Sequence, residues 1–380
     1  MSFGLYVHIP YCQAKCPYCA FVSYPLGDAP LDPARYLEAL LEEARSHLPE
    51  WSEGVASVYF GGGTPTALGP LLPRLIRGLW DLFRWDGVEV TVEANPGTVD
   101  ERSLTALLEA GVNRLSLGFQ SLDDRLLQTL GRVHDRAGAL EAFCLARGAG
   151  FANINLDLIF NIPGQTLSSW KATLEEVVEL APEHVSCYAL EIEEGTPFEA
   201  YRDETCDDRA AEMYHLAREI LREAGYEHYE ISNFAREGRA CAHNIIYWES
   251  EAYLGLGAGA HSHRPLGPQA ARWHNPPDLN DYAQSPGVAA GRTELSVEEC
   301  VAETVFMGLR LIRGIDLVRF RERFGWPIER FYAEELEHLV SQGLLAYGEG
   351  RLRLTERALA VANQVFVRLL EPRRPSAEGG

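Results

Sequence analysis

The stretch LYVHIPYCQAKCPYC, residues 5–19, decides how the rest of the chain is read. It opens with an apolar, β-rich run from Leu5 to Ile9 and then places Cys12, Cys16 and Cys19 in a single loop. Behind it comes DPARYLEALLEEARSHL at 32–48, with helical spacing of its apolar residues, Asp32 as an N-cap candidate and Pro33 at the first helical position. Strand, ligand-rich loop and helix make a βα unit that carries its chemistry at the carboxyl end of the strand.

Working outward, five more β-rich runs follow: ASVYF at 56, VEVTVEA at 88, VNRLSLGF at 112, NINLDLIF at 153 and HVSCYALEI at 184. Amphipathic segments such as TLSSWKATLEEVVELA at 166–181 separate them. The repeated βα pattern predicts a parallel sheet with helices outside, either doubly wound or a barrel, and its near-continuous apolar runs predict strands buried on both faces. The polar residues of note, Glu93, Gln120 and Asp157, fall at or near carboxyl ends of these strands, where such folds place their sites. Regularity fades after residue 190, and a Gly- and His-rich stretch runs from 225 to 295. From Ser296 the pattern changes to helices at 296–312 and 328–341, the hairpin GLLAYGEGRLRLT and a helix to about 370, which is winged-helix-like. Acidic and basic residues are nearly balanced there, so a packing or docking module is the reading rather than a DNA-binding one.

A chain of 380 residues exceeds what one core usually serves, so a large and a smaller domain are expected. The net charge of -21, from 55 acidic against 34 basic residues, repels phosphate backbones and excludes nucleic acid as a partner. No run approaches the ~20 apolar residues of a membrane span, and the first residues lack signal-peptide character, which predicts a cytoplasmic protein with reduced thiols. Clustered cysteines in that setting bind metal or do chemistry, whereas Cys144, Cys187, Cys206, Cys241 and Cys300 stand singly and read mostly as small core residues.

Three cysteines in CxxxCxxC suit a cubane [4Fe-4S] cluster that keeps its fourth iron open for a small chelating ligand. A zinc site completed by His8, or an inert thiol cluster, would use the same residues. In VYFGGGTPT at 58–66 a strand runs into three glycines, so backbone can approach a ligand closely. That loop lacks the lysine of a P-loop and the GxGxxG of a dinucleotide site.

Together these motifs resemble the radical S-adenosylmethionine (SAM) superfamily, and within it the HemN/HemW branch of porphyrin-handling proteins. The likeness runs through GGGTPT, VEANPGT, RLSLGFQS, LGRVH, NLDLIFNIPGQT and HNIIYW to the C-terminal module. It implies a partial (β/α)6 TIM-like barrel over 1–230, a connecting segment at 231–295, a helical, winged-helix-like C-terminal domain at 296–370 and a disordered tail at 371–380. By the same resemblance Cys12, Cys16 and Cys19 are cluster ligands, and Tyr6 and Tyr18 lie beside SAM. Gly62, Gly63 and Thr64 line its methionine end, while Glu93, Gln120, Arg132 and Asp157 hold its charged and hydroxyl groups. Without the resemblance, Glu93 reads as a strand-end charge, Gln120 as a helix-cap partner, and Asp157 as a buried acid paired with Arg132 or the backbone.

HemN-type members decarboxylate coproporphyrinogen III; HemW-type members carry heme to acceptor heme proteins. Phe21, after Ala20, stands where the enzymes have a fourth cysteine, strand one starts at residue 5 with no enclosing extension expected before it, and CAHNIIYW at 241–248 matches the HNxxYW motif of the carriers. A carrier of heme is therefore expected, with oxygen-independent coproporphyrinogen III dehydrogenase as the alternative. His243 is the axial-ligand candidate, Tyr247 and Trp248 are stacking surfaces, and His261, His263 and Cys241 stand in reserve. The ordinary alternative is that His243 caps a helix while Tyr247 and Trp248 fill a domain seam. The resemblance further implies an electron donor such as flavodoxin or ferredoxin, peripheral membrane contact and a homodimer.

Overall fold

The computed structural model describes residues 2–52 and 54–373; the expected disordered tail falls largely on 374–380, outside the described residues. The first strand, β1 (Phe3–Ile9), leads into a loop folded back on itself where β2 (Tyr11–Cys12) pairs with β3 (Tyr24–Pro25). There follow α1 (Pro33–His47), β4 (Val55–Gly62), α2 (Leu71–Phe83), β5 (Glu89–Ala94), α3 (Glu101–Glu109) and β6 (Arg114–Gln120). The alternation continues through α4 (Asp124–Thr129), α5 (Arg136–Ala149), β7 (Ile154–Phe160), α6 (Leu167–Leu180) and β8 (His184–Ala189). Asp32 caps α1 by accepting from the Ala34 amide at 2.9 Å, and Thr166 and Ser169 close a capping box on α6.

β1, β4, β5, β6, β7 and β8 pair in that order and all in parallel. An order that never reverses is that of a singly wound barrel wall rather than a doubly wound sheet. The wall does not close. After α7 (Asp207–Glu223), the short β9 (Glu227–Glu230) and β10 (Asn233–Ala235) extend the β8 edge antiparallel. Beyond α8 (Ala242–Trp248), β11 (Tyr253–Leu256) pairs in parallel with β1. β12 (His261–Leu266), β13 (Gln269–His274) and, past α9 (Leu279–Gln284), β14 (Gly291–Leu295) then carry the sheet on antiparallel to twelve strands.

The strands are not apolar on both faces. Val58, Phe60, Val90, Val92, Leu115, Leu117, Leu156, Leu158 and Val185 are buried toward the helices. Alternate positions, Tyr6, Tyr59, Glu93, Ser116 and Asp157, share registers on the opposite, inner face. The period of two was present in ASVYF and VEVTVEA but masked by tyrosine and threonine, which a β-strand accepts on either face.

The C-terminal module packs α10 (Val297–Gly308), β15 (Ile315–Asp316), α11 (Leu317–Phe324), α12 (Glu329–Ser341), the hairpin β16 (Leu345–Gly348)–β17 (Arg351–Leu354) and α13 (Ala362–Val367). Its small sheet runs β15-β17-β16, the winged-helix-like arrangement expected. Sequence reading missed α11 because LVRFRERF is short and heavily charged. Asp316 starts it, accepting from the Val318 and Arg319 amides at 3.0 and 3.1 Å, and Gly325 stops it at φ 77°.

Candidate cofactor and ligand site

The cysteine loop leaves the carboxyl end of β1 and the glycine loop leaves the carboxyl end of its neighbour β4, so the two are forced together. Contact is close enough to exclude any side chain: a Cβ on Gly63 would lie 2.7 Å from the Tyr11 carbonyl oxygen and 3.0 Å from Cys12 Sγ. Gly62 sits at φ 109°, and a Cβ there would enter the His8 ring at 2.4 Å.

Polar side chains tie the loops into a belt. Thr64 Oγ1 donates to Cys12 Sγ at 3.6 Å and accepts from Asn95 Nδ2 at 2.7 Å. Arg132 Nη2 donates to Asn95 Oδ1, and Arg132 Nη1 donates to Cys16 Sγ at 3.2 Å. The three cysteines remain free thiols, half-exposed on this belt. Burial pushes the Cys12 thiol up, and the proximity of Cys19 and Cys16 adds to it. Tyr18 lies against the loop, edge-on to Phe198 at 5.8 Å.

Below the loops the inner face presents the acids. Glu93 accepts from Tyr59 Oη at 2.8 Å and from the Gly62 amide at 3.2 Å. Burial, reinforced by the nearby Asp157 charge, raises its carboxyl from 4.5 to about 7. Asp157 does not pair with Arg132. It accepts from Ser116 Oγ at 2.7 Å and Asn155 Nδ2 at 2.9 Å, in a network that continues from Asn155 Oδ1 to His184 Nδ1 at 2.6 Å. Gln120 ends β6 in the left-handed region at φ 57°, and its buried Oε1 has no partner; Arg132 Nε is also buried and unpartnered. Buried polar atoms without partners, beside glycines pressed to contact, are groups that a polar ligand would satisfy.

His8 cannot complete a zinc site in this arrangement, because Nδ1 bonds Tyr6 Oη at 3.0 Å and Nε2 bonds the Val22 carbonyl at 2.9 Å. Among the described residues no group of three His, Cys, Asp or Glu converges as a single metal ion requires. A cubane takes each cysteine on a separate iron, so its ligands stand wider apart than those of one ion.

The HNIIYW segment forms α8, which plugs the opposite, amino end of the strands. Gly4 permits this, since a Cβ there would meet the His243 ring at 3.2 Å. His243 is 1% exposed, with Nδ1 bonded to Ser57 Oγ at 2.8 Å and Nε2 to Tyr247 Oη at 2.9 Å. It stacks on Tyr59 at 5.3 Å, and burial lowers its pKa to about 3. With both nitrogens engaged, His243 presents no lone pair to an iron, so the axial-ligand expectation is corrected: this imidazole anchors α8 to the barrel. Cys241 is also buried, its thiol against Glu89 at 3.4 Å. Tyr247 and Trp248 reach past His243 to a cavity of about 420 Å³ that Tyr6 and His8 also line.

Residues 6–177 match the Radical SAM superfamily and residues 295–361 match the HemN C-terminal domain. The heme chaperone HemW of Lactococcus lactis is 34% identical, covering 96% of this chain and 96% of its own length. The chain belongs to the HemW family of radical SAM proteins. The heme chaperone HemW of Mycobacterium tuberculosis, 36% identical over 97% of this chain and 95% of its own, agrees. The solved structure of coproporphyrinogen III oxidase (HemN) from Escherichia coli superposes with a TM-score of 0.79 at 24% identity, over 97% of this chain and 90% of that one, and shares the fold.

Radical SAM proteins carry a [4Fe-4S] cluster and SAM, and the residues present suit both: three free thiols on one belt, a glycine cradle and unpartnered Gln120 and Arg132 atoms beside it. Sequence reasoning missed Tyr59, Asn95, Ser116 and Asn155, which hold the named residues in place. Asn95 and Asn155 stand two residues from Glu93 and Asp157, and Tyr59 and Ser116 pair across strands with Tyr6 and Glu93, so only the first two carried a signal in the sequence.

Proposed function

We propose that this HemW-family chain is a heme chaperone, which takes heme onto the inner face of its open barrel and passes it to acceptor heme proteins. The reading is carried by the end-to-end match to proteins named heme chaperone HemW, through barrel and C-terminal module alike. Phe21, in place of the enzymes' fourth cysteine, supports it.

In this reading Cys12, Cys16 and Cys19 hold the cluster, and Arg132 donates to the Cys16 sulfur, stabilising its thiolate charge. Gly62, Gly63 and Thr64 let a methionine-derived ligand lie against backbone, and Glu93 faces its ammonium or ribose hydroxyls. Gln120, Arg132 and Asp157 take its remaining polar groups, and Tyr6 and Tyr18 flank it. A cluster held by Cys12, Cys16 and Cys19 would supply one-electron chemistry next to the bound SAM. Tyr247 and Trp248 offer ring surface for the heme. We further assign a flavodoxin- or ferredoxin-type electron donor, a cytoplasmic location, peripheral contact with membranes that hold acceptors, and a homodimer; no helix of the described residues is long and apolar enough to cross a membrane.

The test is anaerobic. Reconstituted protein is loaded with stoichiometric heme and mixed with an apo b-type heme protein, and acceptor absorbance is followed. Transfer faster than from free heme is expected. Sustained vinyl-group formation from coproporphyrinogen III, with SAM and reductant, would replace the carrier with the dehydrogenase.

A further inference from the structure

The 420 Å³ cavity beside the cluster chamber has an unused ligand in its wall. Tyr6 from β1, Tyr247 and Trp248 from α8, Tyr253 from β11, His263 from β12 and Met307 from α10 enclose it. Its size falls in the range of small-molecule sites, roughly 300–1,000 Å³. Four of those six side chains are aromatic, and Tyr247 meets Tyr253 edge-on at 4.6 Å. Such walls suit a flat apolar macrocycle.

His263 differs from His8 and His243, and unlike His261, which also lines the cavity, it is held in place by a backbone carbonyl. It is 3% exposed, and its Nδ1 donates to the Glu251 carbonyl at 2.9 Å, which fixes the tautomer and leaves the lone pair on Nε2. Among the described residues nothing bonds Nε2. A ring nitrogen oriented by a backbone carbonyl on its far side is the arrangement that makes histidine a metal ligand. Burial and the Arg272 charge lower its pKa to about 4, which keeps it neutral at physiological pH. His8 and His243, by contrast, are bonded at both nitrogens. Arg272 lines the same cavity. It gives Nη2 to Glu303 at 2.7 Å while its buried Nε stays unpartnered, so a carboxylate has a donor there. Ser250 Oγ and Trp248 Nε1, also in this wall, are buried without partners.

We propose that heme docks in this cavity with His263 Nε2 as the axial ligand to its iron, the aromatic walls covering the macrocycle and Arg272 facing a propionate. The assignment rests on the carrier reading and places the cargo against Tyr6, whose hydroxyl bonds His8 next to the cysteine loop.

Ferric heme is titrated into the cluster- and SAM-loaded protein, and the Soret band and Kd are read for wild type, His263→Asn, His263→Ala and His261→Ala. Asparagine keeps a donor for the Glu251 carbonyl, so His263→Asn should hold the fold, checked by retained cluster absorbance, while losing the iron ligand. A shifted Soret band and at least about tenfold weaker binding are expected in both His263 variants. Added imidazole should restore the His263→Ala spectrum, and a Soret shift in His261→Ala with His263→Ala unchanged would move the ligand to His261, which lines the same cavity. Metal-free protoporphyrin should bind wild type and His263→Asn equally. An unchanged Soret band in His263→Asn overturns the ligand assignment and leaves the carrier standing; wild type that takes up no heme overturns both.

Discussion

At the scale of single residues, Glu93 shows how burial sets chemistry. Its folded-state pKa lies above the ordinary 4.5, at about 7, chiefly through burial and then through Asp157. The unfolded carboxyl releases its proton first, so this group's contribution to stability is complete below pH 4.5 and is lost as pH climbs through 7. Binding of a cationic ligand has the opposite sign, because it needs the carboxylate. SAM affinity should therefore rise between about pH 6 and 8 in wild type and stay flat in Glu93→Gln, measured by calorimetry on the cluster-loaded protein. An identical slope in the variant would exclude Glu93 from the ligand's ammonium. The pattern of residues announced Glu93; its raised pKa was not legible, because it depends on Tyr59 and Gly62 from β4 and on Asp157 from β7.

At the scale of elements, the glycine loop works by what it lacks. Gly62 combines φ 109° with a His8 ring lying 2.4 Å from where a Cβ would be, so Gly62→Ala strains the backbone and collides with the cysteine loop's support. A loss of at least about 2 kcal/mol is expected, read by urea denaturation of the cluster-free protein. A loss below about 0.5 kcal/mol would mean that β1 and β4 yield more easily than their register implies. The three glycines could be seen in sequence, and so could the need for close approach. The identity of the approaching group could not. α8 is the complementary case: HNIIYW stood out as a motif, but whether His243 faces a ligand or the barrel floor depends on Gly4, Ser57 and Tyr59 on two distant strands.

At the scale of the whole molecule, the C-terminal module reaches the segment after α8 through ion pairs and is packed inside by its own aromatics. Arg319 of α11 pairs with Glu249 at 3.0 Å and with Glu251, yet is 55% exposed. Phe320 beside it is 2% exposed and packs on Phe324 at 4.8 Å and Phe331 at 5.9 Å. Arg319→Ala should cost no more than about 1 kcal/mol, and the difference from wild type should vanish in high salt. Phe320→Ala should cost about 3–5 kcal/mol regardless of salt, both read from thermal or chemical unfolding. Equal losses would show that the exposed ion pairs count as much for the module as its buried rings. By itself the sequence determined the six βα units, the cysteine and glycine loops at adjoining strand ends, and the winged C-terminal module, because each is written in local periodicity and turn chemistry. The tertiary structure alone decided which nitrogen of which histidine is left free. His243 and His263 are equally plain in the sequence, and only packing against Ser57 and Tyr247 in one case and the Glu251 carbonyl in the other separates a sealed imidazole from an available one.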